Sequence, residues 1–175
     1  MSSRRPVAGV MGAGDGARAA DVRLAERLGE LLARAGFVVL TGGREVGVMA
    51  AAARGAKKVP GSLTVGILPG DGGPAAAGLD VVIRTGMGHA RNAVNVLSSD
   101  VVVAVGRGGA GTASEVAIAL KTGRPLILLA PAGEAEAFFR ALDPRIAVAA
   151  TPEEALEIAR TRRSASRSRI TSTRR

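Results

Sequence analysis

The sequence predicts an α/β fold: an open parallel sheet of about seven strands with helices on both faces. Three observations predict it. Short apolar runs alternate with helix-period segments along almost the whole chain. Most of those runs, such as Val101 to Val105, are continuously apolar, as in strands buried on both faces. Glycine clusters follow three of them, at Gly12 to Gly16, Gly42-Gly43 and Gly106 to Gly111.

Pro6 to Met11 reads as the first strand. A helix from about Arg18 to Ala35 follows, with Val22, Ala25, Leu28, Leu32 and Ala35 on one face and Gly36 as its stop signal. Phe37 to Thr41 is the second strand, leading through Gly42-Gly43 and Gly47-Val48-Met49 into an alanine-rich helix that ends near Ala56. Leu63 to Leu68 is the third strand. Residues 70 to 78, rich in Gly, Pro and Ala, form a loop, and Asp80 to Arg84 is a short fourth strand. A helix from about Gly88 to Ser98 carries His89, Arg91, Asn92 and Asn95. After the fifth strand, Val101 to Val105, comes a helix ended by Gly123-Arg124-Pro125. Leu126 to Leu129 is a strand, Glu134 to Leu142 a helix, and Ile146 to Ala149 the last strand. Thr151-Pro152-Glu153-Glu154 opens a final helix with a capping box and proline at its first position, expected to end near Arg160.

At 175 residues the chain is long enough for a real core, and 47% of it is apolar. Residues 1–160 are expected to form one domain, and 161–175 a basic, disordered tail. Cysteine is absent and there is one histidine, which argues against a disulfide framework, a thiol nucleophile or a multi-histidine metal site. No apolar run reaches the roughly 18 residues of a membrane span, and no secretory segment is apparent, so a cytoplasmic location is expected. The net charge is +9. Seven arginines from Arg160 to Arg175, with no acid after Glu157, account for most of it. If the protein touches nucleic acid, the expected means is this tail, because aromatics are only 2% and leave little for base stacking.

The chemistry centres on Gly106 to Glu115. A strand, a glycine turn and a helix N-terminus in succession make an anion site, since unpaired N–H groups point outward and the helix dipole favours negative charge. Gly12-Ala13-Gly14 begins as G-x-G, but the next glycine is Gly16, and Thr41 stands where a ribose-binding acid would. An NAD site is therefore disfavoured, and the P-loop signature is absent. Thr112-Ala-Ser-Glu115 matches a capping box, in which Glu115 would merely satisfy a backbone N–H; alternatively Glu115 faces the ligand. Arg91 and Asn95 share a helix face, and Arg91 can grip a phosphate through two N–H groups. His89 reads as a surface residue more than as a catalyst.

Taken together, these residues resemble one Rossmann-like superfamily. It holds the lonely-guy phosphoribohydrolases, the molybdenum cofactor carrier proteins and, more distantly, the DNA-processing Rossmann proteins. The resemblance covers roughly Val7 to Leu129 and rests on Gly108-Gly-Ala-Gly-Thr-Ala-Ser-Glu115, Arg91, Gly42-Gly43 and Gly47-Val48-Met49. The phosphoribohydrolases carry P-G-G-x-G-T-x-x-E with an Arg-Lys pair upstream; here Arg107 replaces the Pro and Asn92 the Lys. Both departures look more like the carrier branch. The resemblance implies a phosphorylated, nucleotide-like ligand, with molybdenum cofactor as the leading candidate and no further cofactor required. Gly108, Gly109, Gly111 and Thr112 would hold its phosphate. Gly12, Gly14, Thr41, Gly42, Gly43, Gly47 and Met49 would line the remaining wall, Arg91 and Asn92 would add polar contacts, and Glu115 would orient a hydroxyl. The alternative is hydrolysis of nucleoside 5′-monophosphates, with Arg91 and Glu115 as the catalytic pair. The resemblance and the alanine-rich helices both imply a homo-oligomer, dimer or tetramer.

Overall fold

The computed structural model describes residues 4–172, with side chains described through Arg162. Seven strands form one parallel sheet: β1 Val7–Gly12, β2 Val38–Thr41, β3 Leu63–Leu68, β4 Val81–Arg84, β5 Val101–Val105, β6 Leu126–Leu129 and β7 Ala147–Ala149. Six α-helices connect them: α1 Ala19–Arg34, α2 Gly47–Lys57, α3 Arg91–Leu97, α4 Ala110–Lys121, α5 Gly133–Leu142 and α6 Pro152–Ser172. The strand order is β4-β3-β2-β1-β5-β6-β7. The chain builds outward from β1 in one direction, returns, and resumes on the other side at β5. The order therefore reverses between β1 and β5, and in such sheets the crevice beyond the strand ends at that point takes ligands.

The continuous apolar runs explain the layering. Successive strand residues point to opposite faces, so a strand covered on both sides must be apolar throughout. Val101, Val103 and Val105 join Leu28, Leu32, Ala51 and Leu156 in one core under α1, α2 and α6. Val102 and Ala104 join Val96, Val116 and Phe139 in the other, under α3, α4 and α5.

Three details differ from expectation. The helix expected from Gly88 begins as a 3-10 turn over Gly88–Ala90 and becomes α-helical only at Arg91. The last helix passes Arg160 and continues to Ser172; the side chains expected to make the tail basic, from Arg163 onward, lie outside the described residues. The alanines of α2, which suggested a surface for another copy, are spent internally: Ala50, Ala51, Ala52, Ala53 and Ala56 are all buried within the chain. The exposed apolar residues lie elsewhere, notably Val81, Val82 and Ile83 on the edge strand β4.

Alanine and glycine let α1 and α2 approach backbone to backbone. A Cβ on Gly29 would overlap the carbonyl of Ala52, and one on Gly55 the carbonyl of Glu26. Main chain cannot swing aside as a side-chain tip can. Gly29→Ala is therefore expected to cost about 2–3 kcal/mol, as overpacking in a tight core does. Urea unfolding at equilibrium measures it, and a midpoint equal to the parent's would refute the close packing.

Candidate functional site

The β5–α4 turn is built from underneath. Gly106 has φ +70°, a left-handed conformation that glycine takes without strain. It lies directly on Asp21 of α1, and a Cβ here would overlap the carboxylate. Asp21 is 2% exposed. It accepts two hydrogen bonds from Arg18, at 3.0 and 2.9 Å, and a longer one, 3.4 Å, from the Arg107 N–H. A carboxylate from the first turn of one helix thus supports the turn that starts another.

From this turn the chain enters α4 at Ala110, with Gly109 outside it. The first intrahelical bond here runs from the Ala113 N–H to the Gly109 carbonyl, 2.8 Å. The amides of Ala110, Gly111 and Thr112 precede it and belong to the helix's unpaired first turn. The capping-box reading of Thr112 is therefore corrected. Thr112 is the third helical residue, not the N-cap, and no side chain caps α4. The reason is local: the glycine turn delivers the chain into helical geometry before Thr112 is reached. Glu115, freed from the capping role, turns inward, where the Asn95 amide donates to it at 2.9 Å. At the last helix the same motif does cap, since the Glu154 N–H donates to Thr151 Oγ1 at 3.2 Å and the Glu154 carboxylate accepts from the Ala150 N–H at 2.7 Å.

These pieces enclose a cavity of about 660 Å³ at the β1/β5 reversal. Of the residues expected from sequence, Gly12, Gly14, Gly42, Met49, Arg91, Asn92, Gly108, Gly109, Gly111, Thr112 and Glu115 line it. Thr41, Gly43 and Gly47 stand behind the wall. Thr41 is fully buried and its hydroxyl accepts the Gly43 N–H at 3.1 Å, shaping the β2 turn. Gly43 packs on Leu68, and Gly47 on the carbonyls of Ala13 and Gly14. His89 is exposed and sits in the lining.

Several lining residues were missed, among them Val10, Met11 and Pro69 and two charged ones. Arg44 and Asp15 form an ion pair of 2.9 Å between the loops after β2 and β1. Both are exposed loop residues with no periodic pattern around them. The one available signal was the position of Arg44, directly after Gly42-Gly43.

The cavity's electrostatics are unusual because charged groups are buried in it. Arg91 is 8% exposed and Glu115 6%. Burial pushes the Arg91 guanidinium down; Glu115 opposes that shift and Arg44 adds to it. It stays cationic, because an arginine starts so high. Arg91 Nε has no hydrogen-bond partner among the described residues. Its guanidinium rests on Gly42, where a Cβ would lie 2.6 Å from one terminal nitrogen. Burial raises the Glu115 carboxyl above the ordinary glutamate range, against the opposing effects of the Asn95 hydrogen bond and the Arg91 charge. Asn92 is tied to α4, donating to Ser114 Oγ at 2.7 Å and to the Gly111 carbonyl at 3.4 Å. Free amides, a buried guanidinium and a glycine-rich wall can hold an anion. A carboxyl whose proton affinity is raised by burial donates as well as accepts whenever it carries its proton.

Comparison with known proteins places the chain. The model of the SLOG cluster4 family matches residues 5–156. The chain belongs to the SLOG cluster4 family. Like this SLOG protein in fold is the molybdenum cofactor binding protein of Rippkaea orientalis, with a TM-score of 0.88 and 46% identity, covering 91% of this chain and 98% of that one. The molybdenum cofactor carrier protein of Chlamydomonas reinhardtii is similar, at TM-score 0.85 and 43% identity, with the same coverage. An uncharacterised protein of Archaeoglobus fulgidus is 48% identical over 123 residues, 70% of this chain and 79% of its own.

Two predictions follow from this geometry. Asp21→Ala in this SLOG protein removes the support beneath Gly106. Hydrogen exchange at residues 106–109 is expected to quicken while the amides of β1 and β5 keep their protection; equal protection in both proteins would remove Asp21 from that role. The raised Glu115 carboxyl also sets a pH dependence. The folded chain keeps this proton where the unfolded chain loses it, so the contribution is fully present below the ordinary glutamate range and is lost as pH rises through the raised folded value. Glu115→Gln has no proton to lose, so its stability should gain on the parent's as pH rises across that window. A difference in urea midpoint that is constant with pH would show that Glu115 titrates normally.

Proposed function

We propose that this protein is a carrier: it binds molybdenum cofactor in the cavity between β1 and β5 and releases it unchanged. One observation carries the reading. The cavity brings the unpaired amides of α4 and a buried, partnerless Arg91 donor to one place, in a chain 46% identical to a molybdenum cofactor binding protein. The residues present fit such a ligand. Its phosphate needs N–H donors, which Gly108, Gly109, Gly111 and Thr112 supply with Arg91. The volume of about 660 Å³ suits one molecule of this size. The chain has no cysteine, so the sulfur atoms around the molybdenum would be the cofactor's own. Glu115, held by Asn95, would meet a polar edge of the ligand as donor or acceptor. Arg44 and Asp15 stand at the mouth, and their exposed ion pair costs little to open.

A second reading is favoured by the pair Arg91 and Glu115. A buried carboxyl with raised proton affinity near a guanidinium could serve hydrolysis of nucleoside 5′-monophosphates. Against it, Asn92 stands where the hydrolases have lysine and is bound to Ser114 and Gly111. Incubation with AMP and modified adenosine monophosphates tests it: release of free base that Glu115→Ala abolishes would replace the carrier reading.

We also read the protein as a homo-oligomer, with the edge strand β4 as the face to be covered, since Val81, Val82 and Ile83 are 41–45% exposed. Among the described residues no helix is long and apolar enough to cross a membrane, and we take the cytoplasm as the site of action.

The carrier reading is tested on protein purified from a host that makes the cofactor. Native mass spectrometry and molybdenum analysis should find bound pterin and metal. Arg91→Ala should weaken binding about tenfold or more, the loss of a hydrogen bond to a charged group. A parent protein that neither co-purifies with nor takes up the cofactor would end this reading.

A further inference from the structure

The first turn of α4 divides two cavities. On the α3 side lies the one already described, which Arg91, Asn92, Gly111 and Glu115 help to line. On the α5 side a smaller one, of about 250 Å³, opens beyond the carboxyl ends of β5 and β6. Ala104 and Leu128 of the strands line it with Val116, Pro131, Ala135 and Phe139. Gly108, Gly109 and Thr112 line both cavities. Gly109 has a φ of −159°, extended backbone open to any residue. A Cβ built on it would meet no packing neighbour within 4 Å. The same is true of Gly111, inside a helix, where glycine is less favourable than alanine. Neither backbone geometry nor packing requires glycine at these two positions. Close approach of a ligand to the main chain does. Arg107 is the one charged side chain in the smaller lining among the described residues. It is exposed, and its guanidinium has no hydrogen-bond partner among the described residues.

We propose that the ligand sits astride this turn in a diphosphate-bridged form, with its first ring system in the larger cavity and a nucleoside in the smaller one. Two cavities that share a rim of unpaired amides suit a molecule with an anionic middle and two ends. The amides of Ala110, Gly111 and Thr112 precede the first helical bond, and Arg91 and Arg107 line the cavities on either side. Two cations and a run of N–H donors match two phosphates better than one. The smaller cavity falls below the roughly 300–1,000 Å³ of a pocket that takes a whole drug-sized ligand, so it suits a part of one. Its walls are mainly apolar and, among the described residues, hold no acid. A neutral, flat base fits such walls, and the Phe139 ring offers it an aromatic contact. The proposal rests on the carrier reading for the identity of the ring system in the larger cavity.

The test is anaerobic equilibrium dialysis of the full chain with bound molybdenum counted. It compares the cofactor as its monophosphate with the same cofactor joined through a diphosphate to guanosine or to cytidine. The parent should bind at least one bridged form about tenfold more tightly than the monophosphate, the worth of one stacked base. Ala113→Leu and Ala135→Leu fill the smaller cavity from two different helices, and neither residue lines the larger one. Each should erase the preference for the bridged form and leave affinity for the monophosphate as in the parent. A thermal midpoint equal to the parent's shows that the filled cavity has not disturbed the fold. Where both midpoints fall, Arg107→Gln on its exposed side chain serves instead, and should reduce the preference. Equal affinity for the two forms, or a preference that these variants retain, would overturn the proposal and leave the carrier reading standing. Uptake of neither form would overturn both.

Discussion

The turn from Val105 to Ala110 can take its course only because Gly106 lies flat on a buried carboxylate. Asp21 would be costly to bury alone, and Arg18 and the Arg107 N–H together offset that cost. In return the turn is held from below, so its upper side is left to backbone amides. The sheet does the rest. Parallel strands end on one edge, and the order places the ends of β2, β1 and β5 side by side. Three loops far apart in sequence thereby share one crevice, and each brings glycines to its lining.

The same crevice shows which polar groups are structural and which are left over. Asn92 and Asn95 each tie α3 to α4, through Ser114 and Glu115. Those bonds fix the angle at which the first turn of α4 meets the cavity. Among the described residues, Arg91 Nε on the same short helix has no partner, and Asn95 Oδ1 is likewise unpaired. A buried donor without an acceptor costs roughly 1–3 kcal/mol. A fold selected for stability alone would replace Arg91 with an apolar residue. Its presence against Gly42, beside unpaired helix amides, is intelligible when a ligand completes the bond.

The strands and their layering were legible because a parallel sheet writes itself as unbroken apolar runs. Val101 to Val105 could hardly be anything but a strand covered on both faces. The glycine turns were legible for a similar reason, since each follows such a run. What sequence could not resolve was where α4 begins. Thr112 and Glu115 have capping-box spacing, as do Thr151 and Glu154, yet only the second pair caps. Pro152 marks the start of α6 unambiguously, whereas the glycines before Thr112 allow helical geometry to begin earlier. Thr41, Gly43 and Gly47 lie within two residues of Gly42 or Met49, which line the cavity, but face the packing behind it, because neighbouring residues point in different directions. Arg44 and Asp15 meet through the sheet order, and nothing local to either announces the other.

The two edges of the sheet also differ in how far their charges act. Five residues of strand at about 3.3 Å each separate the ends by roughly 16 Å. The Debye length at physiological salt is about 8 Å. Arg124 and Arg162 at the far edge therefore contribute little to the field between β1 and β5. On the carrier reading, affinity there would come from groups lining the cavity: the first amides of α4 and the buried Arg91. Net charge describes what the protein meets from a distance, while the cavity's preference is set locally, by one guanidinium raised out of water and the acid that Asn95 holds near it.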